Sequence, residues 1–218
     1  RQSAHPSRTP ARMTIAMTTI NTQDALRQRY AAPMERAVNK EIHALDVHCR
    51  RFIALSPFVL LATGDAEHNL DASPRGGLPG FVQVVDAHTL LLPDAPGNNR
   101  LDSFQNILAT GKLGLLFLIP GVDETLRVNG QAVLSTAAAD IAACTTERRA
   151  PTLVVRMQVQ SAYLHCAKAF MRSRLWDPAA QVERSALPTI GQMIAEQTGL
   201  QIAPETQEAM VRRYAPDL

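Results

Sequence analysis

From Phe58 to His165 the chain repeats one pattern: a short apolar run closed by glycine, proline, asparagine or aspartate, as in FVLLATGD, GFVQVVD, TLLLP, GLLFLIPG and ETLRVNGQAVL. Runs this short, rich in valine, leucine and phenylalanine and with few long helices between them, constrain the chain to an antiparallel sheet and argue against a doubly wound one. Strands are expected at 58–63, 70–73, 81–86, 89–92, 113–119, 124–134 and 152–164, with turns at Asp86-Ala87-His88 and Pro120-Gly121. Seven short strands of this kind read as a small barrel.

Helices flank that region. From Thr22 to Leu55 the apolar residues recur at helical spacing: Leu26 and Tyr30 first, then Met34, Val38, Ile42, Leu45, Cys49 and Phe52 near one face. Pro33 separates the two helices, and Ser56-Pro57 ends the second. Residues 99–111 (NRLDSFQNILATG) and 137–144 also read as helix, and the chain closes with IGQMIAEQTG and PETQEAMVRRYA. The expected organisation is a leader over 1–20 and one domain over 21–218. That domain has N-terminal helices (22–55), a barrel core (58–164) and a C-terminal helical segment (165–218). The leader, RQSAHPSRTPARMTIAMTTI, has arginine, serine, threonine and proline but no acid. Without an amphipathic helix or an apolar stretch before a cleavage site it reads as disordered, with Met13 or Met17 as candidate starts.

Composition excludes several functions. Hydrophobic residues make up 46% of the 218 and charged ones 19%, which is ordinary for a globular chain, and a net charge of +2 gives no ground for nucleic-acid binding. The longest apolar run, 113–120, is far below the roughly 20 residues of a membrane helix. Cys49, Cys144 and Cys166 lie far apart with no CxxC, which suits a reducing cytoplasm and suggests neither disulfides nor zinc. The histidines form no HxxH or HExxH pair, and no GxSxG elbow is present. No metal is expected, and no catalytic side chain can be named.

The loops carry the functional signal. DASPRGG and LLLPDAPGNNRLDS set arginines beside asparagine amides, small residues and glycine, a combination that can grip phosphate oxygens while letting backbone approach. Neither a Walker loop nor a GxGxxG turn is present. Arg127, between Leu126 and Val128, points away from both, toward a ligand or toward Asp123 and Glu124.

Together SPRGG, GFVQVVD, LLLPDAPGNNRLDS, LLFLIPGVDETLRVNG and HCAKAFMRSRLWDP resemble the FMN-dependent enzymes of the pyridoxamine 5'-phosphate oxidase-like superfamily, over roughly 58–178. The resemblance implies a mainly β fold with flanking helices, the antiparallel FMN-binding split β-barrel, working as a homodimer with one FMN per subunit at the interface. It places the flavin phosphate at Asn98, Asn99, Arg100 and Ser103. The turn before Arg75 is expected to present Ser73 and backbone groups to the pyrimidine edge, and Arg75 and Arg127 are further candidate cofactor contacts. Better-known relatives carry Ser-Arg-Lys where this chain has Asn-Asn-Arg, so one cation must be replaced or come from elsewhere, and the candidate source is HCAKAFMRSRLW.

Read as a helix, HCAKAFMRSRLW sets His165, Lys168, Arg172 and Trp176 on one face, either a solvated stripe or a cationic, aromatic wall for a flavin ring. The resemblance implies that this segment of one subunit completes the other's pocket, through Lys168, Arg172, Ser173 and Trp176. Apolar residues at 115–119 and 153–159 would form the interface. The expected function is an FMN-dependent oxidoreductase acting on a small molecule, with NAD(P)H as a candidate reductant and pyridoxamine 5'-phosphate disfavoured as substrate. The alternative is a non-enzymatic flavin or haem carrier or sensor.

Overall fold

Alternation along the apolar runs becomes inside–outside alternation across a single sheet. β1 (Phe58–Gly64), β2 (Leu70–Gly76), β3 (Gln83–Val84), β4 (Thr89–Pro93), β5 (Lys112–Leu118), β6 (Thr125–Ser135) and β7 (Val154–His165) form a seven-stranded antiparallel sheet in the order β2-β1-β5-β6-β7-β4-β3. The computed structural model describes residues 19–199 and 205–217, so nearly all of the expected leader lies outside the described residues. By internal contacts the chain divides into two units, residues 1–39 and 40–218. The first contains α1 (Gln23–Arg27) and α2 (Glu35–Asn39), neither of which buries a residue.

In the second unit the core lies on one face of the sheet. Val59, Leu61, Leu115, Phe117, Val128 and Met157 meet Cys49 and Ile53 of α3 (Val47–Leu55) and Phe104 and Ile107 of α4 (Asp102–Thr110). β4 is buried on both faces, which is why its run of three leucines does not alternate: Leu90 and Leu92 enter the main core, and Leu91 packs with Val154 and Cys144 under α5 (Ala138–Cys144). Burial pushes the thiols of Cys49 and Cys144 up to about 11, which leaves them protonated and inert.

Several expectations need correction. The helix expected to run through Leu45 and Cys49 is broken: Ile42 exchanges backbone hydrogen bonds with Ala162 (3.0 and 2.8 Å), and Leu45 N donates to Ala87 O at 2.7 Å. Asp46 then caps a new helix by accepting from Cys49 N at 2.8 Å. Pairing with the sheet outweighs helical periodicity there, because it satisfies the same amides while seating Leu45 in the core. The strand expected at 81–86 shrinks to Gln83–Val84, whereas β2 extends to Gly76. Pro74 is tolerated in β2 because this is an edge strand.

The expected interface residues are also largely consumed. Leu115, Phe117, Val154, Val155, Met157 and Val159 are buried in the chain's own core. On the opposite face Phe58, Leu60, Leu116 and Leu118 remain half-exposed.

A register shift between Asn129 and Gly130 brings β7 against β6 at one point. A Cβ on Gly130 would lie 2.0 Å from Gln158 O, so only glycine fits. Past β7 come α6 (Lys168–Ser173), α7 (Ile190–Thr198) and α8 (Gln207–Tyr214). Among the described residues no helix is long and apolar enough to cross a membrane.

Candidate functional site

Because β2 alternates, Asp71, Ser73 and Arg75 share one half-buried side of the strand, the side on which α4 also packs. Ser103, in the first turn of α4, is 2% exposed. Its Oγ donates to Asp71 Oδ2 at 2.5 Å and accepts from Arg75 Nη2 at 3.3 Å. The Arg75 guanidinium carbon lies 5.5 Å from the centre of the Phe104 ring. Arg75 Nε is buried and has no hydrogen-bond partner. A buried, charged N–H without an acceptor costs free energy, and an anion beside it would remove that cost.

The loop after β4 completes the site. Asn98 Oδ1 accepts from Arg100 N at 3.0 Å, and Asn99 (φ 59°) and Leu101 (φ 62°) take left-handed backbone, a conformation asparagine adopts more readily than leucine. Leu101 offers no side-chain cap to α4, so the first amides of that helix stay open to an anion. Arg149 Nη2 donates to Asp94 O at 2.8 Å and thereby fixes a second guanidinium at the rim. Together these segments enclose an open cleft of about 660 Å³, a size that suits a mononucleotide-like ligand.

Ser73, Arg75, Asn98, Asn99, Arg100 and Ser103 all line this cleft, so the structure brings these expected site residues together. Arg75 lies within β2, not in a turn after a shorter strand. Arg100 is differently engaged from the expected free cation: its Nε donates to Asp102 Oδ2 at 2.8 Å, and its side chain is 73% exposed.

Arg127 is not in the cleft. It stands half-buried on β6, separated from β2 by β1 and β5, on the face opposite the fully buried Leu126 and Val128, as its neighbours implied.

The helical face expected over 165–176 does not form. His165 is the last residue of β7, α6 ends at Ser173, and Arg174 turns left-handed (φ 52°). Trp176 then folds back, its Nε1 donating to Val122 O at 2.9 Å and its ring stacking on Phe170 at 5.7 Å. Lys168, Arg172 and Ser173 lie on α6, outside the cleft of their own chain.

Arg149 and Thr152 were missed by sequence reasoning. No local pattern marks them. Pairing of Pro93 with Val154 sets the residues leaving β4 beside those entering β7, and Asp94 N donates to Leu153 O at 3.0 Å across that junction.

The pyridoxamine 5'-phosphate oxidase family model matches residues 45–166, a span that holds every strand and the whole cleft. The chain belongs to that family. No curated protein matches it. Among solved structures it is similar to HupZ of Group A Streptococcus (18% identity over 55% of this chain and 92% of that one, TM-score 0.46). It is also similar to a putative pyridoxamine 5'-phosphate oxidase from Lactobacillus delbrueckii (20% identity, 56% and 99% covered, TM-score 0.42). An FMN-binding protein from Syntrophomonas wolfei shares 12% identity over 54% of this chain and 83% of its own, with a TM-score of 0.41.

Membership agrees with the antiparallel, helix-flanked split-barrel fold and makes a flavin the group against which to test the site. The cleft offers what the phosphate of such a group would need. It supplies a buried guanidinium N–H without an acceptor, a second anchored guanidinium, an uncapped helix N-terminus and the Ser103 hydroxyl.

Proposed function

We propose that the cleft holds the phosphate of FMN and that the protein is a flavin-dependent oxidoreductase acting on a small molecule. The partnerless Arg75 Nε carries this reading, because it is a buried charge-assisted donor, lacking an acceptor, on a residue that lines the cleft. Arg75 and Arg149 grip the phosphate, Ser103 and the first amides of α4 complete its shell, and the bound flavin supplies hydride chemistry without a dedicated nucleophile. Arg149 takes the place of the cation missing from Asn98-Asn99-Arg100. Among the described residues the cleft is lined by no histidine, cysteine or methionine, which favours a flavin over a haem.

The protein acts as a homodimer. The half-exposed Phe58, Leu60, Leu116 and Leu118 supply apolar surface for a second copy, and Lys168, Arg172, Ser173 and Trp176 reach the flavin of that copy rather than their own. The purified protein should be yellow, should release a compound of FMN mass on denaturation, and should bind FMN more tightly than FAD or riboflavin. A colourless protein that FMN cannot reconstitute would overturn the reading. Turnover of NAD(P)H with an added acceptor separates an enzyme from a carrier.

Arg100 should matter less than Arg75, because Asp102 already occupies it in an exposed pair. Arg100→Ala is expected to weaken FMN binding less than about fivefold. Asp102→Asn, which removes a negative charge from the start of α4 and frees Arg100, should tighten it by about the same factor. A hundredfold loss in Arg100→Ala, read by fluorescence titration, would transfer the principal phosphate contact to Arg100.

A further inference from the structure

The hydroxyl of Ser103 carries one proton and cannot serve two acceptors. Arg75 Nη2 can only donate to it, so the proton goes to Asp71, at the 2.5 Å separation of a charge-assisted O–H···O⁻ bond. Ser103 lines the cleft, yet in this state its Oγ presents only lone pairs there. A phosphate oxygen beside it meets an acceptor where it needs a donor.

Turning the hydroxyl to a phosphate while Asp71 stays ionised would leave a half-buried carboxylate oxygen without its donor, which is the costly outcome. One proton on Asp71 removes the conflict. The carboxyl O–H then donates to Ser103 Oγ, and the Ser103 O–H turns to the phosphate. No hydrogen bond is lost, and a negative charge beside the incoming anion is neutralised. The other charged groups of the cleft stand differently. Arg75 shares β2 with Asp71, Asp102 at the start of α4 pairs with Arg100, and Asp94 and Arg149 sit on the loops after β4 and before β7. The strand paired with β2 brings only the uncharged Thr63 opposite Asp71.

We propose that Asp71 is a positioning residue of the phosphate site: as a carboxylate it holds Ser103 as an acceptor, and by taking one proton from solvent it turns Ser103 into a donor, so that a phosphate monoester enters the cleft together with a proton. This role deepens the reading of the cleft as the site of the FMN phosphate and depends on it.

Calorimetric titration with FMN in buffers of different ionisation enthalpy counts the protons taken up, and the same titration of Asp71→Asn subtracts the ligand's own ionisation. At about pH 5 the wild-type protein should take up about half a proton per site more than Asp71→Asn. Asparagine donates to Ser103 without a proton, so the variant should bind FMN more tightly, by about thirtyfold at about pH 8 and only a few-fold at about pH 4.5, because proton uptake makes the wild type lose affinity as pH rises. In a Ser103→Ala background the excess uptake should vanish, and Asp71→Asn should change FMN affinity less than about threefold. Asp94→Asn should keep the uptake. Riboflavin, which has no phosphate, should bind all these proteins alike, and that shows them folded. Equal uptake by wild type and Asp71→Asn while both bind FMN overturns the role of Asp71 alone. So does uptake lost in Asp94→Asn instead, or a tightening by Asp71→Asn that survives in the Ser103→Ala background, as simple charge repulsion would give. If FMN binds neither wild type nor variant, the phosphate reading of the cleft falls and takes this role with it.

Discussion

Arg75→Ala is expected to weaken FMN binding about a hundredfold while leaving riboflavin binding nearly unchanged. The side chain reaches the cleft from inside β2, with Nη2 committed to Ser103 and Nε buried without a partner. A charge-assisted hydrogen bond of this kind is worth about 1.5–3 kcal/mol, and its upper end corresponds to a hundredfold. Riboflavin lacks the phosphate, so its affinity reports whether the cleft itself has survived. Lysine should not rescue the variant, because an ammonium has neither the fork nor an N–H at the Nε position. Parallel titrations of both ligands decide the matter. Equal losses for both would mean that Arg75 serves the packing of α4 on β2 through Ser103 and Asp71, and the phosphate reading would fail.

The largest loss of stability should come from Gly130→Ala. β6 lies between β5 and β7 in the middle of the sheet, and a Cβ at this position would stand 2.0 Å from Gln158 O. Neither strand can yield without giving up its pairing on the other side. The cost is expected to be at least about 3 kcal/mol, equivalent to melting roughly 10 °C lower for a chain of this size. Gly76→Ala is the control. There the nearest atom to an added Cβ is Pro57 O at 3.6 Å, an ordinary contact, so the melting temperature should scarcely move. A Gly130→Ala protein that melts with the wild type would show that the bulge can relax, and that the glycine has some other purpose.

The two glycines illustrate how the chain could and could not be read in advance. LRVNG is legible as a strand with a glycine near its middle, but nothing local says that a β7 backbone carbonyl would crowd that position. The same holds for the 42–45 segment. Its helical spacing is real, yet Ile42 lies where Ala162 offers an unpaired amide and carbonyl, and two backbone bonds to a strand far along the chain replace the helix. Trp176, expected beside Lys168 and Arg172 on one helix, is turned away by the left-handed Arg174 and by a hydrogen bond to Val122 O.

Most of the strands, the turns between them and the helix that starts after the Asn98–Arg100 loop follow from the sequence alone, because each depends on neighbours within a few residues: alternation, turn chemistry and helix-start signals. What only the tertiary structure decided is which distant groups meet. Ser103 joins Asp71 and Arg75 because α4 packs on β2. Arg149 reaches the cleft because β4 and β7 pair, and Arg127 finds Tyr163 because β6 and β7 are in register. Such meetings are set by strand order and register, which arise from burying the whole apolar surface at once, so no local run of residues encodes them.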